Sequence, residues 1–199
     1  MLTLYHAPRS RSSSILWLLE ELGVPYKIRT TPIVYGDGRG TTAPEAYRAV
    51  HPHRKVPAID HDGKTVFESS AIVLYLADTF SLGNLAPALD DPRRAPYLTW
   101  LVYYSATMGP VVTARFRCWD TESPTGFGTM EDMETFLTQT LEAHPYIVGD
   151  RFTAADILVG GAVRFFKSSF LSDRPCYNDY VARLDARPAF ARAQAKDNG

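Results

Sequence analysis

The sequence predicts a two-part chain, an α/β domain of order β-α-β-α-β-β-α followed by an all-α helical domain. Three observations predict it. A short apolar strand pattern, Leu2-Thr3-Leu4-Tyr5, passes through a polar loop into an amphipathic helix. An Asp62-Gly63 pair separates two apolar stretches, the signal of a hairpin between antiparallel strands. Past residue 92 nothing reads as a strand series, and the periodic segments have helical spacing.

The totals narrow the function classes. The 21 basic and 22 acidic residues nearly cancel, so no positive field collects nucleic acid or an anionic membrane. The longest apolar run, Ala71 to Ala77, is far short of the roughly 20 residues that span a bilayer, so no membrane partner is expected. The N-terminus enters a strand pattern directly, without the charged and apolar regions of a secretory leader. Cys118 and Cys176 are far apart and form neither a CxxC pair nor a metal-ligand spacing. They fit a reducing, cytoplasmic compartment and the role of free structural thiols.

Taken in order, the first strand is Leu2 to Tyr5, and the loop after it reads Pro8-Arg9-Ser10-Arg11-Ser12-Ser13-Ser14. The helix that follows carries Ile15, Leu16, Leu18, Leu19 and Leu22 on its apolar side and stops at Gly23, predicting a span from Ser12 to Leu22. Pro25 to Thr30 is the second strand, parallel to the first because a helix connects them. Residues 32–42 are rich in Gly, Pro and Thr and read as a loop, and a short helix is expected near Pro44 to Ala49. The stretches His51 to Asp60 and Thr65 to Phe67, on either side of Asp62-Gly63, give the two strands of the hairpin, and a helix starts at Ser69. This order over fewer than eighty residues is that of a thioredoxin-like domain, 1–79. Residues 80–91 read as a linker with Gly83, Asn84 and Pro87. The helical domain, 92–199, is predicted to hold helices at Arg94 to Trp119, bent at Gly109-Pro110, and at Met130 to Ala143, with residues 120–128 a loop. Three more fit Thr153 to Ser168, Pro175 to Ala186 and Pro188 to Lys196.

The β1–α1 loop offers hydroxyls and guanidiniums at a helix N-terminus, where unpaired first-turn N–H groups and the dipole favour an anion. The capping of that helix is the competing use of Ser12 to Ser14.

Four segments in order resemble the cytosolic glutathione transferase superfamily over essentially the whole chain. They are Leu2 to Tyr26, Lys55-Val56-Pro57-Ala58-Ile59, Glu68-Ser69-Ser70-Ala71-Ile72 and Gly149-Asp150-Arg151-Phe152-Thr153-Ala154-Ala155-Asp156-Ile157. The resemblance implies a glutathione transferase that conjugates the glutathione thiolate to a small hydrophobic electrophile, works as a homodimer, and needs no metal and no permanently bound cofactor, glutathione being a co-substrate. Two alternatives stand beside it: an interaction module that keeps the fold without turnover, and a glutathione-dependent reductase or lyase, which normally resembles members with a cysteine in the loop.

A thiol of pKa about 8.5 lowered by about two units needs roughly 2.7 kcal/mol of preferential thiolate stabilisation, within reach of one charge-assisted hydrogen bond at about 1.5–3 kcal/mol. Three hydroxyls compete to supply it. Ser10 resembles the catalytic serine by its spacing from Pro8; Ser12 follows because the loop length is open; Tyr5 matches the catalytic tyrosine by its spacing from Trp17 but sits inside the strand pattern, as a packed aromatic would. Arg11 lies where some relatives assist the thiolate.

For the rest of the tripeptide, the resemblance implies a cis Val56-Pro57 bond whose Val56 backbone pairs with the cysteinyl unit. Glu68 and Ser69 would take the γ-glutamyl end, and His53, Arg54 and Lys55 the glycyl carboxylate, with Arg54 standing where serine-type relatives place a histidine. His6 and His61, with no paired acid or metal partner in sequence, read as solvent-facing or turn residues. Thr153 and Asp156 read as a capping box with a folding role. A hydrophobic wall for the second substrate is expected from Tyr103, Tyr104, Met108, Phe116 and Trp119 on one helix and Phe165 with Phe166 on another, many of them core by the usual behaviour of aromatic stripes.

Overall fold

The structure, a computed structural model, describes residues 1–35, 41–119 and 125–198. Part of the loop expected over 32–42, residues 36–40, lies outside the described residues, as do 120–124 of the loop expected over 120–128.

The chain divides into two compact units, Met1–Phe80 together with the C-terminal residues from Arg187, and Ser81–Ala186. In the first, strands β1 (Leu2–His6), β2 (Tyr26–Thr30), β5 (Ala58–His61) and β6 (Lys64–Phe67) form a sheet of order β2-β1-β5-β6. β1 runs parallel to β2 with Leu2 opposite Tyr26, and antiparallel to β5 with Tyr5 opposite Ala58. β5 and β6 pair antiparallel, Ala58 opposite Phe67, around the Asp62-Gly63 turn. A two-residue pair, β3 (Val34–Tyr35) and β4 (Thr41–Thr42), stands apart from this sheet, and the short helix expected near Pro44 is a 3-10 turn, Glu45–Ala49. Alternation along β1 buries Leu2, Leu4 and His6 on one side.

Helix α1 (Ser12–Leu22) buries Ile15, Leu16, Trp17, Leu18 and Leu19 and ends at Gly23, whose φ of 65° is the left-handed conformation that glycine adopts without a Cβ penalty. Helix α2 (Ser69–Ser81) buries Ile72, Val73, Leu76 and Ala77. The last helix, α8 (Pro188–Asp197), packs on α1. Phe190 meets Trp17 edge-on with centroids 4.9 Å apart, and Arg187 grips Glu21 in a bidentate pair at 2.6 and 2.8 Å. Glu20, buried, accepts from Arg192 at 3.0 Å, from Lys196 at 2.5 Å and from the Tyr26 hydroxyl.

In the second unit, the helix expected from Arg94 to Trp119 is two helices, α3 (Arg94–Tyr103) and α4 (Gly109–Phe116), joined by a π turn at Tyr104–Met108. Pro110 explains the turn: it has no N–H to donate, and in an unbroken α-helix its ring would strike the carbonyl four residues back. The Gly109 N–H instead reaches five residues back, to Tyr104 O. The helix stops before Trp119 because Cys118 takes a left-handed φ of 51°, and the Trp119 N–H folds back to Ala114 O at 3.0 Å.

Helices α5 (Met130–Ala143), α6 (Ala154–Phe166) and α7 (Pro175–Asp185) complete this unit. The segment expected as a linker packs here, with Leu85 and Ala86 buried and the Leu85 carbonyl accepting from Ala154 N–H at 2.8 Å. No helix among the described residues is long and apolar enough to cross a membrane.

Candidate functional site

Sheet register brings three sequence-nominated segments of the first unit to one end of three adjacent strands. β1 ends there and opens into the Ala7–Arg11 loop, β5 begins there after Val56-Pro57, and β6 ends there into Glu68-Ser69. The Val56-Pro57 peptide bond is cis, as expected. Glu68 takes a left-handed φ of 70°, exposing its side chain, while Ser69 is buried at the first position of α2 and the Glu68 carbonyl accepts from Ile72 N–H at 2.9 Å.

The hydroxyl candidates separate sharply in the structure. Ser12 is fully buried, and its oxygen is crowded by partners: His6 Nδ1 at 2.8 Å, Ser10 Oγ at 2.8 Å, Ala7 O at 3.1 Å, and the Ala7 N–H, which donates to it at 3.1 Å. Ser10 is half-buried; its Oγ accepts from Ser12 N–H at 3.1 Å and donates to Ala7 O at 2.7 Å. Tyr5 is half-buried against a small apolar cluster of Ala43, Tyr47 and Ala58, with the Tyr47 ring 5.5 Å away and Arg29 over its own ring. Arg11 is exposed at the N-terminus of α1.

The basic group divides as well. Arg54, half-buried at φ 53°, pairs with Glu45 at 2.9 Å, and its backbone joins those of Ala43 and His51. Lys55 and His53 are exposed, and the His53 N–H donates to His51 Nδ1 at 3.1 Å. His51, buried against the Phe67 ring at 4.8 Å, was nominated by no motif. Burial holds its pKa below the usual histidine value against the pull of Glu68.

The expectation for His6 is corrected. His6 faces neither solvent nor a turn: it is 2% exposed, with Ser12 on one ring nitrogen and Asp197 on the other. The alternation Leu2, Leu4, His6 was the available signal, since residues two apart along a strand share a face. Asp197, 191 positions away in the chain, carried no signal. His61 is half-buried, with Nδ1 2.8 Å from the Tyr75 hydroxyl.

In the second unit, Phe116, Trp119 and Phe165 are exposed, and Phe116 meets Phe166 and Phe170 edge-on. Tyr103 and Tyr104 are half-buried, Tyr103 packing on Trp100 and Phe136, whereas Met108 is core at 4% exposure and presents little surface to a ligand. Thr153 and Asp156 form the expected capping arrangement: the Thr153 N–H and hydroxyl donate to Asp156 Oδ2 at 2.8 and 3.1 Å.

The first unit is thus a thioredoxin-like sheet with a hydroxyl-lined β1–α1 loop and a cis-proline beside it. Residues 4–87 match the family model for the glutathione S-transferase N-terminal domain. Glutathione S-transferase 3 of Schizosaccharomyces pombe is 30% identical, over all of this chain and 89% of that protein. The disulfide-bond oxidoreductase YfcG of Escherichia coli is 29% identical, over 98% and 95% of the two chains. Among solved structures, a theta class glutathione S-transferase from Xanthomonas axonopodis pv. citri with glutathione bound aligns at a TM-score of 0.74 and 26% identity, covering 96% of each chain. The chain belongs to the cytosolic glutathione transferase superfamily.

Proposed function

We propose that the protein is a glutathione transferase: it binds glutathione across the end of its sheet, ionises the thiol, and directs the thiolate onto an electrophilic carbon of a small apolar compound. The observation that carries this reading is the convergence of the Ala7–Arg11 loop, Val56-Pro57 and Glu68-Ser69 at one end of β1, β5 and β6. An extended tripeptide laid there would take backbone hydrogen bonds from Val56 as an added strand. It would place its γ-glutamyl carboxylate at the start of α2 and its sulfur near the β1–α1 loop. Arg54 and Lys55 would supply positive charge for the glycyl carboxylate, with the exposed His53 beside them.

Ser10 is the thiolate donor in this reading. Its hydroxyl is half-exposed and held by Ser12 N–H, so its one proton can turn from Ala7 O to an incoming sulfur. Ser12, fully buried among four polar neighbours, serves the loop. A donor of this kind contributes about 1.5–3 kcal/mol in favour of the thiolate, enough to shift a thiol by one to two pKa units. Within the helical unit, Phe116, Trp119 and Phe165 are exposed, an apolar surface of the kind a small hydrophobic electrophile would favour. Dimerisation and a cytoplasmic setting are part of the same proposal.

The kinship with a disulfide-bond oxidoreductase supports a second reading, glutathione-dependent reduction of disulfides. There the bound thiolate attacks a disulfide sulfur and a second glutathione completes the exchange, so no protein cysteine is required. Retention on immobilised glutathione, followed by parallel assays with a chlorinated nitroaromatic and a small mixed disulfide, tests the two. Conjugation without disulfide reduction is expected. The reverse pattern would select the second reading, and failure to bind millimolar glutathione would leave an interaction module.

A further inference from the structure

Ser12, His6 and Asp197 have the residue types of a nucleophilic triad, with Ser12 Oγ 2.8 Å from His6 Nδ1 and His6 Nε2 3.1 Å from Asp197 Oδ1. Burial decides against that use. Ser12 has no exposed surface, its oxygen is occupied by Ala7 and Ser10 as well as His6, and no substrate carbonyl could approach it. The arrangement is an internal strut, and Asp197 is its outer end.

The carboxylate of Asp197, in the last turn of α8, touches the end of β1, the loop and the start of α1 at three places. The Arg9 N–H donates to Oδ1 and Oδ2 at 3.2 and 3.3 Å, the Ser13 hydroxyl donates to Oδ1 at 2.9 Å, and His6 Nε2 faces the same oxygen. Arg9 sits at φ 53°, a left-handed conformation that costs a non-glycine residue about 1 kcal/mol or more and needs external support. The ring N–H of His6 is off the line of an ideal hydrogen bond to Asp197. Its tautomer is nevertheless decided by electrostatics: a bare Nε2 lone pair 3.1 Å from a carboxylate oxygen would be repelled, whereas an Nε2–H is attracted. Burial of the ring, which opposes its charged form, keeps His6 neutral against the pull of Asp197.

We propose that Asp197 is a positioning residue for the thiolate loop: it holds His6 in the Nε2–H tautomer, which commits the Ser12 hydroxyl to His6 Nδ1 and leaves the Ser10 hydroxyl, which rests on Ala7 O, as the donor that can turn to the sulfur. The role toward the thiolate rests on the transferase reading above; the coupling of Asp197 to His6 does not. A neutral imidazole with its proton on Nε2 has only an acceptor at Nδ1, so Ser12 must donate to it. Ser12 Oγ then has lone pairs for Ala7 N–H, and Ser10 Oγ, held by Ser12 N–H, keeps its own proton to give.

The test is nitrogen NMR of the His6 ring in the full chain, with kinetics on the same samples, for the unaltered protein, Asp197→Asn and Asp197→Ala. The isosteric Asn variant guards against loss of the fold. Expected are an Nε2–H imidazole in the unaltered protein and a mixture of tautomers in Asp197→Ala. kcat for conjugation should fall about tenfold there, with the KM for glutathione changing less than about threefold. A lowered melting temperature with an unmoved tautomer and unchanged kcat would make Asp197 a plain structural contact and overturn the proposal. Failure of the unaltered protein to bind millimolar glutathione would overturn the transferase reading and the role toward the thiolate, while the tautomer shift would still report the Asp197–His6 coupling.

Discussion

Gly160 on α6 faces Leu184 on α7 so closely that a β-carbon at position 160 would lie 2.1 Å from Leu184 Cδ1. Leu184 is fully buried, and the ring of Tyr180 stands beside it, with Tyr180 Cε1 3.5 Å and its hydroxyl 3.4 Å from the same point. The two helices meet where one of them has no side chain, and the helix-weakening effect of glycine, about 1 kcal/mol against alanine, is accepted for that approach.

Gly160→Ala is therefore expected to lower stability by about 1–3 kcal/mol despite the better helix former, because the fully buried Leu184 side chain must shift to admit the methyl group. Urea unfolding reads it. A gain in stability would mean that Leu184 repacks freely.

Asp156, fully buried, gathers four donors: Thr153 N–H and hydroxyl on Oδ2, and Ile147 N–H and the Tyr180 hydroxyl on Oδ1, both the latter near 2.8–2.9 Å. Truncation to Ala would strand them inside the helical unit, and each buried donor left unpaired costs about 1–3 kcal/mol. Asp156→Ala should lose at least about 3 kcal/mol or fail to accumulate as folded protein, measured by calorimetry and by soluble yield. Conjugation by whatever folded fraction remains should be unchanged per molecule.

Burial raises the carboxyl pKa of Glu20, but hydrogen bonds from Lys196, Tyr26 and Arg192 more than reverse it and leave the pKa below the usual glutamate value of 4.5. A depressed folded pKa means that this group's contribution is complete above the unfolded pKa and is lost as pH falls through the folded one. The anchoring of α8 on α1 should thus hold above about pH 4.5 and weaken below it. Melting temperature followed against pH should fall less steeply on the acid side for Glu20→Gln than for the unaltered protein. Parallel acid limbs would place the loss of stability elsewhere.

Ser10→Ala removes the half-exposed donor of the loop and should raise the pKa of bound glutathione by one to two units while cutting kcat/KM about 10²-fold, read from the thiolate absorbance against pH and from conjugation rates. Tyr5→Phe should change both little, since the Tyr5 ring is occupied by Tyr47 and Arg29. A large effect in Tyr5→Phe with none in Ser10→Ala would move the donor to the strand.

Much of the site was legible because its parts are local. A cis-proline segment, a Glu-Ser helix start and a polar loop after a strand are each a handful of adjacent residues, and strand alternation with an Asp-Gly turn suffices to place them at one end of a sheet. Period-3.6 patterns likewise located α5, α6 and α7 to within a residue or two. The break at Tyr104–Met108 was visible only as a bend, because a π turn leaves the apolar spacing on either side intact.

What the chain determined by itself is therefore the main strands and helices, their order, and the short segments from which the candidate site is drawn. The tertiary structure alone decided which hydroxyl is sealed and which is open, since Ser10 and Ser12 are indistinguishable as residues and differ only in what surrounds them. It also decided that α8 belongs with α1 and that residue 197 meets residue 6. No periodicity links positions so distant; their contact is chosen by the burial of Trp17 and Phe190 and the pairing of Glu20 and Glu21, terms that exist only once the chain has closed on itself.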